Sequence, residues 1–408
     1  MPFSLADRIP AVIRRLTTAL ALLLPLAFLA ASCSKEDDPV PVVRERERAV
    51  LVYMVANNSL GSSTPPGKDE RGYDNADIDE MVSAASTGAL GANRLIVYHH
   101  AYRQDPVLKE ITAGGVKELK TYDTSVSSVS ASRMLEVIAD FKGEAPADKY
   151  GIVLWSHANG WAQTGLQETV APMARPKAFG EDYHEGRRVY MNVTTLADVL
   201  DGQGFDYVYF DCCHMAGVEV AYELRHVTDR VVGSVTELPA AGMPYNLTLP
   251  YLMSGDVVMA AATTFSSYNN LYGVERTCTM SVIDTSRLDR LADAVGALYA
   301  MHPVLPDDYT PQEFIYRNCI YFDLQHYLEG LGGTSPELRK PLAEATAALK
   351  DAVVYCAATP WIWQGYASQV ELKSHCGLST NILKSPLDAA KYNYSQLEWY
   401  ADVASRLF

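Results

Sequence analysis

Gly151-Ile-Val-Leu-Trp-Ser-His157-Ala-Asn-Gly-Trp161 and Tyr207-Val-Tyr-Phe-Asp211-Cys212-Cys213-His-Met215 decide how this chain is read. Each is an apolar run bounded by a turn or helix signal. The first breaks at a histidine followed by a glycine turn, the second at two cysteines followed by a helical pattern over 218–224. Runs of this kind read as central strands of a parallel sheet, buried on both faces. In open α/β sheets the reacting groups collect at the carboxyl ends of the strands. A histidine and a cysteine delivered there by neighbouring strands can form a thiolate–imidazole dyad. The bland alternative is a buried core cysteine and a hydrogen-bonded core histidine. Two such residues, both at strand ends, favour a cysteine hydrolase.

The rest of the chain supplies matching elements. Residues 49–55 read as the first strand, closing on Asn57-Asn58-Ser59, and 61–72 as a loop. Ile78, Met81 and Val82 at helical spacing predict a crossover helix over 75–85, with a strand over 94–98 after it. Residues 108–111 and 116–119 flank Gly114-Gly115 and predict a hairpin at a sheet edge. Ser130 caps a predicted helix with Met134, Val137, Ile138 and Phe141 on one face. A helix over 194–200 and a strand over 231–236 complete the alternation. It predicts a three-layer α/β/α domain with a mainly parallel sheet over 49–250. Beyond 250 the pattern turns helical (257–267, 286–301, 341–357), predicting a C-terminal extension, 251–408, packed on that core. Between the two marked strands, 162–189 is polar and aperiodic and reads as a long irregular loop over the site.

Several blocks resemble, in order, the clostripain family of cysteine peptidases, in the caspase–gingipain–legumain group. They are Trp155-Ser-His157-x-x-Gly160-Trp161, Phe210-Asp211-x-Cys213-x-Met215 with Glu219, and Gly233-Ser234-x-Thr236-Glu237-x-Pro239 with Gly242 and Tyr245. The stretch from Ala49 to Asn58, Asp77-Ile-Asp-Glu-Met81 and the late His375-Cys-Gly377-Leu-Ser379 are similar to the family as well. The likeness implies a caspase-like domain and a cysteine endopeptidase acting on proteins or peptides, with Cys213 as nucleophile and His157 as its partner. Strand alternation also favours Cys213, because Asp211 and Cys213 would share a face while Cys212 turns to the core. A helix starting near Met215 would bring its positive end towards Cys213 and favour the thiolate.

The resemblance carries further expectations. Oxyanion donors would be the N–H of the residue after the histidine, in a turn that includes Gly160, and that of the cysteine. Here that residue is Ala158 where glycine is usual, a penalty if the position needs positive φ. His214 reads as a partly exposed neighbour of the nucleophile. Asp211 would lie by an S1 pocket that prefers Arg or Lys; the alternative is a carboxylate accepting backbone N–H bonds at the strand end. Family members resembling clostripain cut themselves between the histidine and the cysteine. That stretch holds Arg175, Lys177, Arg187 and Arg188, of which Lys177 before Ala178 is the best candidate and Arg188 the second. Pro176 disfavours cleavage after Arg175. Clostripain-like enzymes differ in calcium dependence. No D-x-[DN]-x-[DN]-G loop occurs, so no metal or other cofactor is expected, with calcium alone left open.

The chain opens like an exported protein. Arg8, Arg14 and Arg15 precede an apolar stretch, 16–30, that is short for a membrane span. Leu29-Ala-Ala-Ser32-Cys33 resembles a bacterial lipobox, which implies a signal peptide over 1–32 and a lipid on Cys33; the alternative is an ordinary secretory signal with a chance cysteine. The acidic, proline-bearing 33–48 reads as a tether. Its Lys35-Glu-Asp-Asp38 resembles the export signal of surface lipoproteins of some Gram-negative bacteria, so an outer-membrane lipoprotein is expected, with the surface and the periplasmic face both open to it. A net charge of −15 argues against nucleic acid as a partner. The cysteines after Cys33 (212, 213, 278, 319, 356, 376) show no C-x-x-C pair, hence neither a zinc site nor a disulfide framework. A monomer is expected, its partners being substrates and the membrane. Rival readings are a catalytically inactive homologue that binds peptides at the surface, suggested by Ala158 and His214, and a structural envelope lipoprotein with an accidental dyad.

Overall fold

The computed structural model describes residues 48–68, 72–162, 179–314, 321–333, 335–363 and 369–408. The signal segment, Cys33, Arg175 and Lys177 lie outside them. In chain order, β1 (Arg48–Val55) leads through α1 (Ser59–Ser62) and α2 (Tyr73–Ser86) to β2 (Arg94–His100). The hairpin β3 (Val107–Thr112) and β4 (Gly115–Thr121) follows, then α3 (Ala131–Glu144) and β5 (Lys149–Trp155). A second hairpin, β6 (Phe179–His184) and β7 (Arg187–Met191), precedes α4 (Val193–Leu200), β8 (Phe205–Asp211), α5 (Val218–Glu223) and β9 (Arg230–Gly233). Next come α6 (Tyr245–Ser254), α7 (Val257–Asn269), β10 (Thr279–Asp284), α8 (Leu288–Tyr299), β11 (Phe322–Asp323), α9 (Leu324–Gly332) and α10 (Arg339–Ala352). The last elements are β12 (Val353–Ala358), β13 (Trp361–Trp363), β14 (Gln369–Glu371), β15 (Ser379–Thr380) and α11 (Glu398–Asp402).

Among the described residues, nine strands form one sheet in the order β12-β10-β9-β8-β5-β1-β2-β3-β4. The strands from β9 to β2 pair in parallel, and antiparallel pairs finish both edges. The β-branched and aromatic runs are buried on both faces, as central strands must be. Along β1, Leu51 and Tyr53 enter one apolar core while Val50, Val52 and Met54 enter the other. Met134 of α3, Leu196 of α4, Ala221 of α5 and Leu291 of α8 cover the first. Met81 of α2, Leu252 of α6 and Ala260 of α7 cover the second. Three α/β/α layers result, the architecture that the alternation predicts.

Residues 45–408 form one compact unit, and β10 and β12 extend the same sheet. Two expectations need correction. The predicted helix over 341–357 stops at Ala352, and the β-branched and aromatic Val353-Val-Tyr355 turns into an edge strand paired with β10. The second correction concerns 162–189. Its described part beyond 178 is not irregular but the β6–β7 hairpin. Asp182 anchors it from a fully buried position, accepting bonds from Asn57 Nδ2 (3.0 Å), Ser127 Oγ (2.6 Å) and the Ser128 N–H (2.9 Å). A polar strand whose carboxylate faces inward shows no apolar alternation, which is why it reads as a loop.

The helix after the cysteine strand is tied to the C-terminal segment through buried carboxylates. Glu219 Oε1 accepts from Thr380 Oγ1 (3.1 Å), the Asn381 N–H (2.8 Å) and Tyr394 OH (2.9 Å). Glu223 Oε1 accepts from the Glu398 N–H at 2.6 Å. Burial pushes the Glu223 carboxyl up to about 7, against an ordinary value of 4.5. A carboxyl raised in this way favours the fold while protonated, and that contribution is lost as pH climbs from 4.5 through about 7. Glu223→Gln keeps the acceptor without the charge. It should match wild type near pH 4.5 and be more stable by about 1–3 kcal/mol near about pH 8. Urea unfolding at both pH values reads the difference, and an equal gain at both would rule out charge as its cause.

Candidate active site

β5 and β8 are parallel neighbours whose register runs from Gly151–Tyr207 to Trp155–Asp211. His157 and Cys213 therefore each lie two residues past the last paired position, on adjacent strand ends, where the strand spacing is about 4.8 Å. The two cysteines separate as strand alternation requires. Cys212 is buried in the core, donates to the Leu154 carbonyl at 3.3 Å, and has its thiol pushed well up by burial. Cys213 is half-buried, and the Leu238 N–H donates to its sulfur at 3.4 Å.

The helix that sequence places near Met215 begins only at Val218 and is six residues long. Residues 213–217 are a loop, so a helix dipole is not what faces Cys213; the Leu238 N–H, a donor suited to a thiolate, is directed at the sulfur, and the thiol in turn points to the Leu238 carbonyl at 3.8 Å. Neighbours on both sides hold the loop. The His214 N–H donates to Thr236 O (3.0 Å), the Ala216 N–H to Ser234 O (2.9 Å), and the Ser379 N–H to Ala216 O (3.0 Å). The late Ser379 stretch thus lies against the loop of Cys213.

His214 is buried, not partly exposed. Its φ of 60° lies in the left-handed region, rare for a side chain with a Cβ. That turn swings the ring inward, where it stacks on Tyr321 with centroids 5.1 Å apart and Nδ1–H donates to Val235 O at 3.0 Å. Burial lowers its pKa to about 4, so it is neutral across the ordinary range. Tyr321 also donates its hydroxyl to Asn159 O, and Trp161 meets the rings of Tyr321 and Tyr394 edge-on. One tyrosine therefore touches both loops. Gly160 permits this: its φ is 68°, and a Cβ there would lie 2.8 Å from the Tyr321 ring and hydroxyl.

Ala158 sits among negative-φ residues, so the penalty attached to an alanine there does not arise. It bridges Phe179 through its neighbour, whose carbonyl (His157) accepts from the Gly180 N–H at 2.9 Å. That pairing does not use the Ala158 N–H. His157 Nε2 lies 2.7 Å from Ser59 Oγ. Sequence reading treats Ser59 only as part of a strand-closing turn; its place at the carboxyl end of β1, beside β5, is the signal that could have found it. Leu238 and Tyr321 carry no such signal.

Asp211 is buried. Oδ1 accepts from the Met243 N–H (3.0 Å) and Oδ2 from Tyr245 OH (3.1 Å), and burial pushes its carboxyl up to about 6. The backbone-acceptor role is thus directly visible. Asp77, likewise raised by burial, accepts from Trp155 Nε1 at 2.7 Å. Arg188 lies in β7 opposite Tyr183, with Nε 3.4 Å from Glu181. Among the described residues no cluster of three or more His, Cys, Asp or Glu could hold a metal ion, and no helix is long and apolar enough to cross a membrane.

The Clostripain family profile matches residues 52–402. No curated protein matches the chain. Among solved structures, a secreted C11 cysteine protease from Bacteroides thetaiotaomicron in complex with an irreversible peptide inhibitor is 26% identical, with a TM-score of 0.73 over 88% of this chain and 99% of that one. An inactive zymogen C11 protease from Parabacteroides distasonis is also 26% identical, with a TM-score of 0.72 over 89% and 99%. With the profile spanning β1 to α11 and the fold shared across almost all of these proteases, the chain belongs to the clostripain family and is a cysteine peptidase.

Proposed function

We propose that this chain is a lipid-anchored cysteine endopeptidase of the bacterial cell envelope that cuts after Arg or Lys, with Cys213 as nucleophile and His157 as acid–base partner. The observation that carries the reading is the β5–β8 register, which brings both residues past adjacent strand ends. In the reaction the Cys213 thiolate forms a C–S bond to the peptide carbonyl carbon, and the carbonyl π pair moves onto oxygen. The Ala158 and Cys213 N–H groups would hold that oxyanion. On collapse the C–N bond breaks and His157 gives its proton to the leaving amine. Water, deprotonated by His157, then hydrolyses the thioester and restores the thiol. The ordinary backbone of Ala158 and the neutral, buried His214 support catalysis over an inactive peptide-binding role. Self-cleavage after Lys177 belongs to this reading; Arg188, paired in β7, is a poorer substrate segment. That one similar protease is an inactive zymogen is in keeping with activation by cutting.

An Arg-directed irreversible peptide inhibitor should label Cys213. Cys213→Ala should abolish peptide hydrolysis and any cut after Lys177, while Cys212→Ala keeps both. Mass spectrometry of the incubated proteins reads label and cleavage together. A Cys213→Ala protein that still cleaves would sink the proposal.

Asp211 gives the basis for a basic P1 residue. A Cβ on residue 242 would lie 2.9 Å from both of its oxygens, so Gly242 lets the backbone come against this buried carboxylate with no side chain between them. A charge-assisted contact there would orient Arg or Lys. Since burial raises this carboxyl to about 6, it is protonated as pH falls through that value, and kcat/KM for Arg substrates should fall with it. Asp211→Asn should cost about 10- to 100-fold on Arg and Lys substrates and flatten that acid step. Equal losses on apolar P1 peptides would remove the role.

The anchor rests on Cys33 and its flanks. Cys33→Ser should abolish incorporation of a labelled fatty acid and shift the protein out of the membrane fraction. Unchanged labelling and fractionation would end the lipoprotein reading.

A further inference from the structure

We propose that Ser59 is a positioning residue for His157, fixing which imidazole nitrogen exchanges protons during peptide cleavage; this rests on His157 being the acid–base partner of Cys213. Ser59 Oγ lies 2.7 Å from His157 Nε2. Ser59 opens α1 just after β1, the strand that neighbours β5 on the side away from β8. Its position is set by Asn58, which is buried. Asn58 Oδ1 accepts from the Leu60 N–H (2.8 Å), and Nδ2 donates to Val55 O (2.9 Å) and Glu181 O (2.8 Å) and lies 3.3 Å from Ser156 Oγ. Ser156 Oγ in turn donates to Val55 O (2.8 Å) and accepts from the Glu181 N–H (3.1 Å). The residue before Ser59 and the residue before His157 are thereby tied to each other and to β6. The His157 carbonyl is held as well, by the Gly180 N–H. The contact itself lies at the solvent-facing rim, but both of its partners are placed by buried bonds.

The hydrogen bond at one ring nitrogen determines the state of the other. With Nε2–H donated to Ser59 Oγ, Nδ1 is the base that takes a proton and, as imidazolium, gives it to the leaving amine. The serine oxygen stays an acceptor throughout and stabilises the cation, and no proton passes through it. Without the hydroxyl, the ring loses one of the contacts that orient it and the bond that sets its tautomer, and the imidazolium loses a partner. The alkaline limb of the rate profile then moves to lower pH.

The test compares full-length Ser59→Ala and Ser59→Thr with wild type and with Cys213→Ala, using an Arg-P1 peptide from about pH 5 to about pH 9. Ser59→Ala should lower kcat about 10- to 100-fold with KM within about twofold, and shift the alkaline limb towards acid. Ser59→Thr, which keeps the hydroxyl, should restore most of the rate. A second readout is independent of turnover. In a Cys213→Ala background, the His157 ring nitrogen shifts should report a protonated Nε2 with Ser59 present and a tautomer mixture with Ser59→Ala. Wild-type kcat and pH profile in Ser59→Ala, or unchanged nitrogen shifts, would overturn the assignment. If Cys213→Ala itself still turns over peptide, the dyad reading fails instead, whatever Ser59 does.

Discussion

Parallel pairing of β5 with β8 is the constraint on which the site depends. Ladder bonds hold Trp155 opposite Asp211, so whatever follows each strand emerges side by side. Ile152 and Leu154 pack into one core and Val153 and Trp155 into the other, as do Val208 and Phe210 against Tyr207 and Tyr209. A slip of one residue would exchange these faces and set two packed cores against each other. The same alternation sends the Cys212 thiol under Leu154 O and leaves Cys213 near Leu238. Register and the separation of the two cysteines are one physical fact.

The loops past the strands do not hold themselves. Residues 213–217 form no regular element before α5, and their amides and carbonyls are met by Ser234, Thr236 and Ser379. Tyr321 then spans from His214 to the loop of His157, and Gly160 makes room for it. Glu219 and Glu223 tie α5 to the last part of the chain. The C-terminal segment therefore builds the site from behind and supplies two strands of the sheet, β10 and β12. Cutting the chain at 250 would remove parts of both.

Burial of polar groups marks where the reading of the sequence parts from the structure. Asp182, His214 and Asp211 are all interior, and each is held by specific donors or acceptors. Such residues break apolar periodicity, so 179–189 reads as part of a loop and His214 as a partly exposed neighbour. Their burial is offset only because Asn57, Ser127, Ser128, Val235, Met243 and Tyr245 arrive from distant parts of the chain. No window of sequence contains both halves of such a pair.

Local pattern alone determined the parallel core strands, the crossover helices, the edge hairpin and the placement of His157 and Cys213 at strand ends. Those features follow from short-range periodicity and from the rule that parallel strands run into their site at the carboxyl edge. Tertiary structure decided the rest. It turned Val353–Ala358 from a helix end into a strand by offering β10 as a partner, and it brought Ser59 to His157, Leu238 to Cys213 and Tyr321 to both loops. These contacts join residues far apart in sequence, and their geometry exists only once the sheet has set the distance between strand ends.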